Sequence, residues 1–442
     1  MKLESEKITR REFVSSAIAV AGASAIPLNA MPPGLKRPNI LFILADDMGY
    51  GDLSCYGRPD YSTPNLDRFA EQGVRFTDAY AAAPVCTPTR CGFITGRYPA
   101  RLPVGNNDPL PAKKFAGARP GLPPDHPTVA SLLKGAGYET ALVGKWHLGY
   151  LPEYGPLQSG FDHFYGIMSS GVNYFTHRDG AGDLDFYEDK VPVDRIGYIT
   201  DLLTERAVQF IASHRKKPFY LSLHYTAPHG PWQGPQDEQT SSSSGSRKIY
   251  AAMMKSLDDG IGKVLRALIA AGLDKKTLVI FTSDNGGEGF SYHWPFTGKK
   301  GDLLEGGIRV PAIVRWSGVI PHKQKTDQVA ITMDWTATIL AAAQTSPAPG
   351  YQLDGQDLLP VMRGQVPTHD RTLFWRTNKQ GAARSGNWKY LKEGDQDLIF
   401  DFSADVMGIG DFEGKHPDVL ARLRSEYQQW EAQMLPLPTK KK

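Results

Sequence analysis

Cysteine is nearly absent, with three thiols in 442 residues, at positions 55, 86 and 91. A disulfide framework needs paired cysteines, so this fold has to rest on a buried core. If Cys86 is used otherwise, Cys55 and Cys91 remain; two free thiols are expected, with a bridge between them left open. Excess charge of one sign is lacking too: 50 Lys and Arg stand against 47 Asp and Glu, a net charge of +3. That balance argues against nucleic acid as the main partner. No apolar run is long enough to span a membrane, since residues 17–26 are short and alanine-rich. No segment repeats at a fixed period. What is left is a chain long enough for one large domain and an appendage.

Ahead of that short run stands Thr9-Arg10-Arg11-Glu12-Phe13-Val14, which has the form of a twin-arginine export signal. Ala23-Ser24-Ala25 or Ala30 offers the cleavage site. Residues 1–30 are therefore expected to be a targeting segment read by the twin-arginine machinery. The mature protein would then be periplasmic or secreted by a bacterium.

The remainder reads as α/β. Asn39-Ile-Leu-Phe-Ile-Leu-Ala45 is a continuous apolar run, predicting a strand buried on both faces, and it ends in Asp46-Asp47. A strand over 139–143 leads into Gly144-Lys145-Trp146-His147-Leu148-Gly149. Another, over 218–225, leads into Ala227-Pro228-His229, and one over 277–283 into Asp284-Asn285. Four apolar strands each closing in a polar cluster fit a doubly wound sheet whose carboxyl ends share one crevice. His224, inside its strand, is expected to be a satisfied core histidine. Residues 151–193, rich in Gly, Asp, Tyr and His, are expected to form a substrate-side excursion outside the core. Loop residues such as Asn107, Asp108, Tyr174, His293 and Trp294 stand where a pocket rim is expected, and none is assigned a role. Short strands at 372–375, 388–392 and 398–402 with a helix over 417–433 predict a smaller antiparallel α+β subdomain. The expected organisation is a catalytic domain over 38–366, that subdomain over 367–436 and a tail over 437–442.

Residues 81–97 organise the rest. Pro88 suits a first helical turn and Thr87 can act as N-cap, which sets Cys86 at the mouth of a helix N-terminus. Free N–H groups there favour an anion, and Arg90 adds a permanent cation. A nucleophile-grade side chain in that setting points to chemistry on an anionic substrate.

Cys86-Thr87-Pro88-Thr89-Arg90 resembles the Cys-x-Pro-x-Arg signature of the formylglycine-dependent type I sulfatases, within the alkaline-phosphatase superfamily. Gly144-Lys145-Trp146-His147 and the block from Lys300-Gly301 through Glu305-Gly-Gly-Ile-Arg309-Val-Pro311 resemble further motifs of the same family. Thr89 stands where serine is common and Cys91 where a small residue is usual. The family's C-terminal block appears only as Ile399-Phe400-Asp401-Phe402-Ser-Ala-Asp405-Val406.

The resemblance implies the family's fold, a large mostly parallel sheet flanked by helices. It implies that a separate maturation enzyme oxidises Cys86 to formylglycine. It further implies that Asp46, Asp47, Asp284, Asn285 and an oxygen of modified Cys86 hold a divalent cation. An all-oxygen set suits Ca²⁺, with Mg²⁺ next. Zinc is disfavoured, because neither His nor Cys joins the carboxylates at ligand-like spacing. By the same resemblance Arg90 orients the nucleophile, Lys145 and Lys300 hold the sulfate oxygens, His229 protonates the leaving alcohol and His147 takes the proton that lets sulfate leave. The activity implied is hydrolysis of a sulfate monoester, on a sulfated glycan or sugar. Two other readings use the same residues: a formylglycine hydrolase of phosphonate or phosphate esters, and a sulfated-glycan binder in which Cys86 stays a thiol.

Overall fold

The strand Asn39–Ala45 is buried along its whole length, so neither of its faces meets water. It pairs in parallel with Thr277–Ser283 on one side and Phe219–His224 on the other. Glu139–Lys145 lies parallel beyond Phe219–His224. These four are consecutive members of a ten-stranded sheet, and their shared direction puts their carboxyl ends on one edge. His163–Ile167 continues the parallel run, followed by the short antiparallel pieces Tyr187–Glu188 and Val191–Pro192. On the other flank Ala312–Arg315 runs antiparallel to both Thr277–Ser283 and Val74–Phe76, and Gln324–Thr326 closes the edge. The structure is a computed structural model that describes residues 37–106, 110, 121–214, 216–237 and 244–437. The expected export signal, Asn107, Asp108 and tail residues 438–442 lie outside the described residues. No described helix is long and apolar enough to cross a membrane.

Side-chain alternation along Asn39–Ala45 divides the helices between two layers. Leu41 and Ile43 share a core with Leu66 and Phe69 of helix Pro64–Glu71, Leu203 and Ala207 of Ile199–Ser213, and Leu257 and Ile261 of Arg247–Ala270. Phe42, between them, faces the other way and stacks on Phe93 at 3.8 Å. Phe93 belongs to helix Cys86–Thr95, so the central strand directly braces the helix that begins at Cys86.

Two expectations fail here. Residues 151–193 are not outside the core: Phe164, Tyr165, Ile167, Tyr174 and Phe186 are buried, and His163–Ile167 is a central-sheet neighbour. Aromatic core residues spaced by Gly and Asp hid the strand period. Nor does Thr87 cap its helix. The helix starts two residues earlier, with extended Val85 as N-cap, and the Thr87 hydroxyl accepts from the Leu110 N–H at 3.0 Å. Cys86 thereby becomes the first helical residue.

Four antiparallel strands, Thr372–Arg376, Gln380–Ser385, Trp388–Glu393 and Gln396–Asp401, form a second sheet. Helix Pro417–Glu431 covers it with Leu420, Leu423, Tyr427 and Trp430. The second of these strands was not legible in the sequence: Gln-Gly-Ala-Ala-Arg-Ser has almost no β-forming residues, and Gly381 is there to clear the Tyr427 ring.

Buried charge ties the sheets to each other. Glu305 accepts from Lys389 at 2.8 Å, Arg309 at 3.2 Å and the Tyr80 hydroxyl at 2.5 Å. Arg309 and Arg384 both grip Asp78. Burial alone would raise the Glu305 carboxyl, but Lys389, Arg309 and Arg384 outweigh it and hold the group down at about 2. Lys389 moves down as well, because burial and the two arginines oppose the pull of Glu305. The cluster sets three cations, Lys389, Arg309 and Arg384, against two anions, Glu305 and Asp78, and Glu305 is the carboxylate on which buried Lys389 rests. Glu305→Gln is expected to destabilise the protein by about 3 kcal/mol at neutral pH. Since the folded group titrates below its ordinary 4.5, that stabilisation is complete above 4.5 and is lost as pH falls toward about 2. Urea melts at several pH values should therefore show the gap between wild type and variant closing in acid; a gap constant with pH would refute the assignment.

Candidate active site

Each polar cluster expected at a strand end is found on the same edge of the sheet. Asp46 and Asp47 leave the central strand, and Asp284 leaves its neighbour with its N–H on the Ala45 carbonyl. Asp47 adopts a left-handed backbone, φ 63°, and donates its own N–H to Asp284 Oδ1 at 3.2 Å. That turn lets two consecutive aspartates face one point, which extended backbone would forbid. Asn285 completes the group, its amide donating to Asp47 Oδ1 at 2.8 Å. Asp46, Asp284 and Asn285 are wholly buried and Asp47 nearly so.

Three cations answer the three carboxylates. Lys145 Nζ lies 2.6 Å from Asp46 Oδ2, and Lys300 Nζ 2.7 Å from Asp47 Oδ2. Arg90 donates to Asp284 Oδ2 from Nε at 3.1 Å and from Nη2 at 2.9 Å. Its Nη1 donates to the Lys145 carbonyl at 3.0 Å and lies 3.3 Å from His224 Nδ1. Against burial, Lys145, His229 and Arg90 hold the Asp46 carboxyl below its ordinary range. Burial and the neighbouring Asp46 push Asp284 up, with Arg90 and Lys145 opposing. Ligand atoms of Asp46, Asp47, Cys86 and His229 all lie within 4.8 Å of one another. Burial pushes the Cys86 thiol up to about 12, although Lys145 and Lys300 pull the other way. The unmodified side chain is therefore a neutral thiol at physiological pH.

Two buried oxygens in this group, Asp46 Oδ1 and Asn285 Oδ1, have no hydrogen-bond partner among the described residues. Orphaned buried acceptors beside a carboxylate cluster are what a cation site leaves when protein atoms alone are counted. A divalent ion would also tip the balance of three anions and three cations to net positive, as an anionic ester requires.

A sulfatase family model matches residues 38–345. The chain belongs to the sulfatase family. It is 36% identical over 379 residues to the N-acetylgalactosamine-6-sulfatase of Mus musculus, covering 80% of this chain and 72% of that one. Steryl-sulfatase of Mus musculus is 32% identical over 439 residues, covering 79% and 69%. Among solved structures, Ps i-CgsB matches with a TM-score of 0.83 at 30% identity over 91% of this chain and 94% of that one, and it has also been solved with k-i-k-neocarrahexaose. The protein is an enzyme, a sulfatase acting on sulfate esters, on the alkaline-phosphatase-like fold.

In this sulfatase the two histidines flanking the cluster differ. His229 Nε2 is 3.6 Å from Asp47 Oδ2, and its Nδ1 lies 2.5 Å from the Gly230 carbonyl, an acceptor only, so Nδ1 carries a proton. Among the described residues His147 makes no hydrogen bond or ion pair with the carboxylates. It turns out of the strand with φ 55°, so it does not continue the extended line of Lys145. Both its ring nitrogens are buried, and apart from the nearby Leu110 backbone neither meets a polar partner among the described residues. Burial, reinforced by Lys145, Arg90 and His229, pushes it well below the ordinary histidine range and keeps it neutral.

The argument against zinc from sequence spacing does not survive the fold. His229 and Cys86 are remote from the aspartates in the chain but adjacent in space. Three residues with no assigned role also support the site. His224 is buried and satisfied as expected, yet the group it serves is Arg90, with Ser222 Oγ on its other nitrogen at 2.8 Å. Asp52 gathers Gly49 N–H, Arg58, Tyr250 and Ser291, fixing the loop that follows Asp46-Asp47. Tyr174 lies 3.0 Å from the Thr226 carbonyl and 2.8 Å from that of His229, clamping the turn that presents His229. No motif marks these three. Tyr174→Phe is expected to lower kcat about 5- to 10-fold with KM nearly unchanged, because only the orientation of His229 loosens. Steady-state kinetics on an aryl sulfate decide it; a change confined to KM would contradict the positioning role.

Proposed function

We propose that this sulfatase releases inorganic sulfate from a sulfated glycan or sugar, using residue 86 after its oxidation from cysteine to formylglycine. The observation that carries the reading is the buried meeting of Cys86, Asp46 and Asp47 within one ligand sphere, with orphaned oxygens on Asp46 and Asn285. Asp46, Asp47, Asp284 and Asn285 would hold the divalent ion with an oxygen of residue 86. Their hard oxygens favour Ca²⁺, then Mg²⁺. Once bound, the ion supplies Lewis-acid charge beside the reacting sulfate and lowers the cost of deprotonating a hydroxyl. The hydrated aldehyde supplies one hydroxyl to attack sulfur and a second whose proton can be removed to expel sulfate.

The remaining work falls to this chain's own side chains. Arg90 is fixed by Asp284, Lys145 O and His224, so it orients residue 86 with little loss of freedom on reaction. Lys145 and Lys300 sit on Asp46 and Asp47 and can turn to the sulfate oxygens, where they offset developing charge. His229 offers Nε2 to the departing alcohol, since Nδ1 is committed to Gly230. His147, held neutral by burial, is suited to take the hydroxyl proton that releases sulfate.

A glycan substrate is supported by the sugar named in the N-acetylgalactosamine-6-sulfatase match and by the oligosaccharide complex of Ps i-CgsB. The twin-arginine segment supports export after maturation in the cytoplasm, to the periplasm or beyond. Matched aryl sulfate, phosphate and phosphonate esters provide the test, followed by a panel of defined sulfated saccharides. Sulfate turnover is expected to dominate. Dominant phosphoester or phosphonate turnover would replace this reading, and glycan affinity without sulfate release would make the protein a binder.

A further inference from the structure

The amino ends of the same strands carry a second cluster. Glu139 and His163 are the first residues of the neighbouring parallel strands Glu139–Lys145 and His163–Ile167. They therefore lie at the sheet edge opposite the one that holds Lys145. His214 follows helix Ile199–Ser213 as its C-cap and comes to the same place. One ligating atom from each, a carboxylate oxygen and two imidazole nitrogens, lies within 4.8 Å of the others. His163 Nε2 is 3.1 Å from Glu139 Oε1, and the two imidazole centroids are 6.0 Å apart. None of these residues has a part in sulfate ester hydrolysis.

The rings are already oriented. Buried Phe210 stacks on His214 at 3.9 Å and meets His163 edge-on at 6.2 Å, so one aromatic platform sets both imidazoles. His214 Nδ1 lies 2.8 Å from the Phe210 carbonyl. A carbonyl only accepts, so Nδ1 carries the proton and Nε2 presents its lone pair, as in histidines that bind metal. The helix C-terminus beside it adds negative potential. On His163 the proton toward Glu139 occupies the place a cation would take; the ring would then shift to its Nδ1–H tautomer with no change of charge.

Access and room are available. The His163 side chain is 50% exposed and that of Glu139 29%, leaving both free to close to the ligand separations of about 3–4 Å that metal bonds of roughly 2 Å require. The cluster borders a cavity of about 260 Å³ whose wall includes Glu188, Asp189, Arg206 and Ser213, space for water to complete the coordination. Glu188 is held by Arg195 and Arg206 and is not offered as a ligand.

We propose that Glu139, His163 and His214 form a second metal site, selective for a borderline transition-metal ion of the Zn²⁺ class, which staples the helix to the sheet. Two imidazoles and one carboxylate favour Zn²⁺, Ni²⁺ or Cu²⁺ over the hard cations that suit the catalytic oxygens. The ion stabilises the fold from the end remote from the chemistry.

The test is calorimetric titration of the chelator-treated, full-length protein with ZnCl₂ in excess Ca²⁺, which keeps the oxygen site filled. One Zn²⁺ per chain is expected, with a rise in Tm. His163→Ala and His214→Ala should each weaken binding by at least about 100-fold, and Glu139→Gln by roughly 10-fold. Co²⁺ should give visible ligand-field bands that the same variants lose, while circular dichroism shows each variant folded. Zinc affinity unchanged in the histidine variants, uptake that Ca²⁺ competes away, or no uptake by the wild type would each overturn the proposal.

Discussion

Cys86→Ala is expected to cut sulfate ester turnover by about 10⁵-fold while the fold survives. The side chain lost is small, so truncation costs roughly 1 kcal/mol of stability, whereas the reaction loses the group that is to form the bond to sulfur. Burial pushes the Cys86 thiol up to about 12, so the unmodified residue is a neutral thiol and a poor nucleophile at neutral pH, in keeping with the proposed oxidation. Mass spectrometry of the peptide carrying residue 86, from native host material, should find the aldehyde. Turnover by the alanine variant within about 10-fold of the parent would remove residue 86 from the nucleophile's role.

Arg90→Ala should damage both stability and rate. The guanidinium is 1% exposed and supplies two hydrogen bonds to Asp284 and one to the Lys145 carbonyl. Removing it leaves Asp284 buried beside Asp46 with its main counter-charge gone, at a cost of about 3–5 kcal/mol. In kinetics the loss should reach about 10³-fold in kcat/KM if Arg90 orients residue 86 as proposed. Arg90→Lys keeps the charge but not the fork, and an intermediate defect of about 10²-fold is expected. Urea denaturation and kcat/KM on one aryl sulfate measure both effects. A variant as stable as wild type would show that the buried carboxylates do not depend on this cation.

The site was legible wherever a strand ends abruptly in polar residues. Asp46-Asp47, Lys145, His229 and Asp284-Asn285 all follow continuous apolar runs, and an apolar run bounded by charge is a local signal. The Glu305-to-Pro311 block was legible as a motif but not in its use: Glu305 and Arg309 fasten the C-terminal sheet, and their partners Lys389 and Arg384 lie in strands with no marking pattern. Tyr174 and Asp52 were invisible for a related reason. Their partners lie 52 to 55 and 198 to 239 residues away for the bonds that matter most, and such pairings leave no trace in a window of sequence.

From the sequence alone came the buried central strands, the order of polar groups at their ends and the place of Cys86 at a helix start, because burial and periodicity act over a few residues. Tertiary structure alone decided that Val85 rather than Thr87 precedes that helix, that His229 stands beside the aspartates, and that His147 turns out of line. Those outcomes depend on which segments pack together, and packing is settled by contacts hundreds of residues apart.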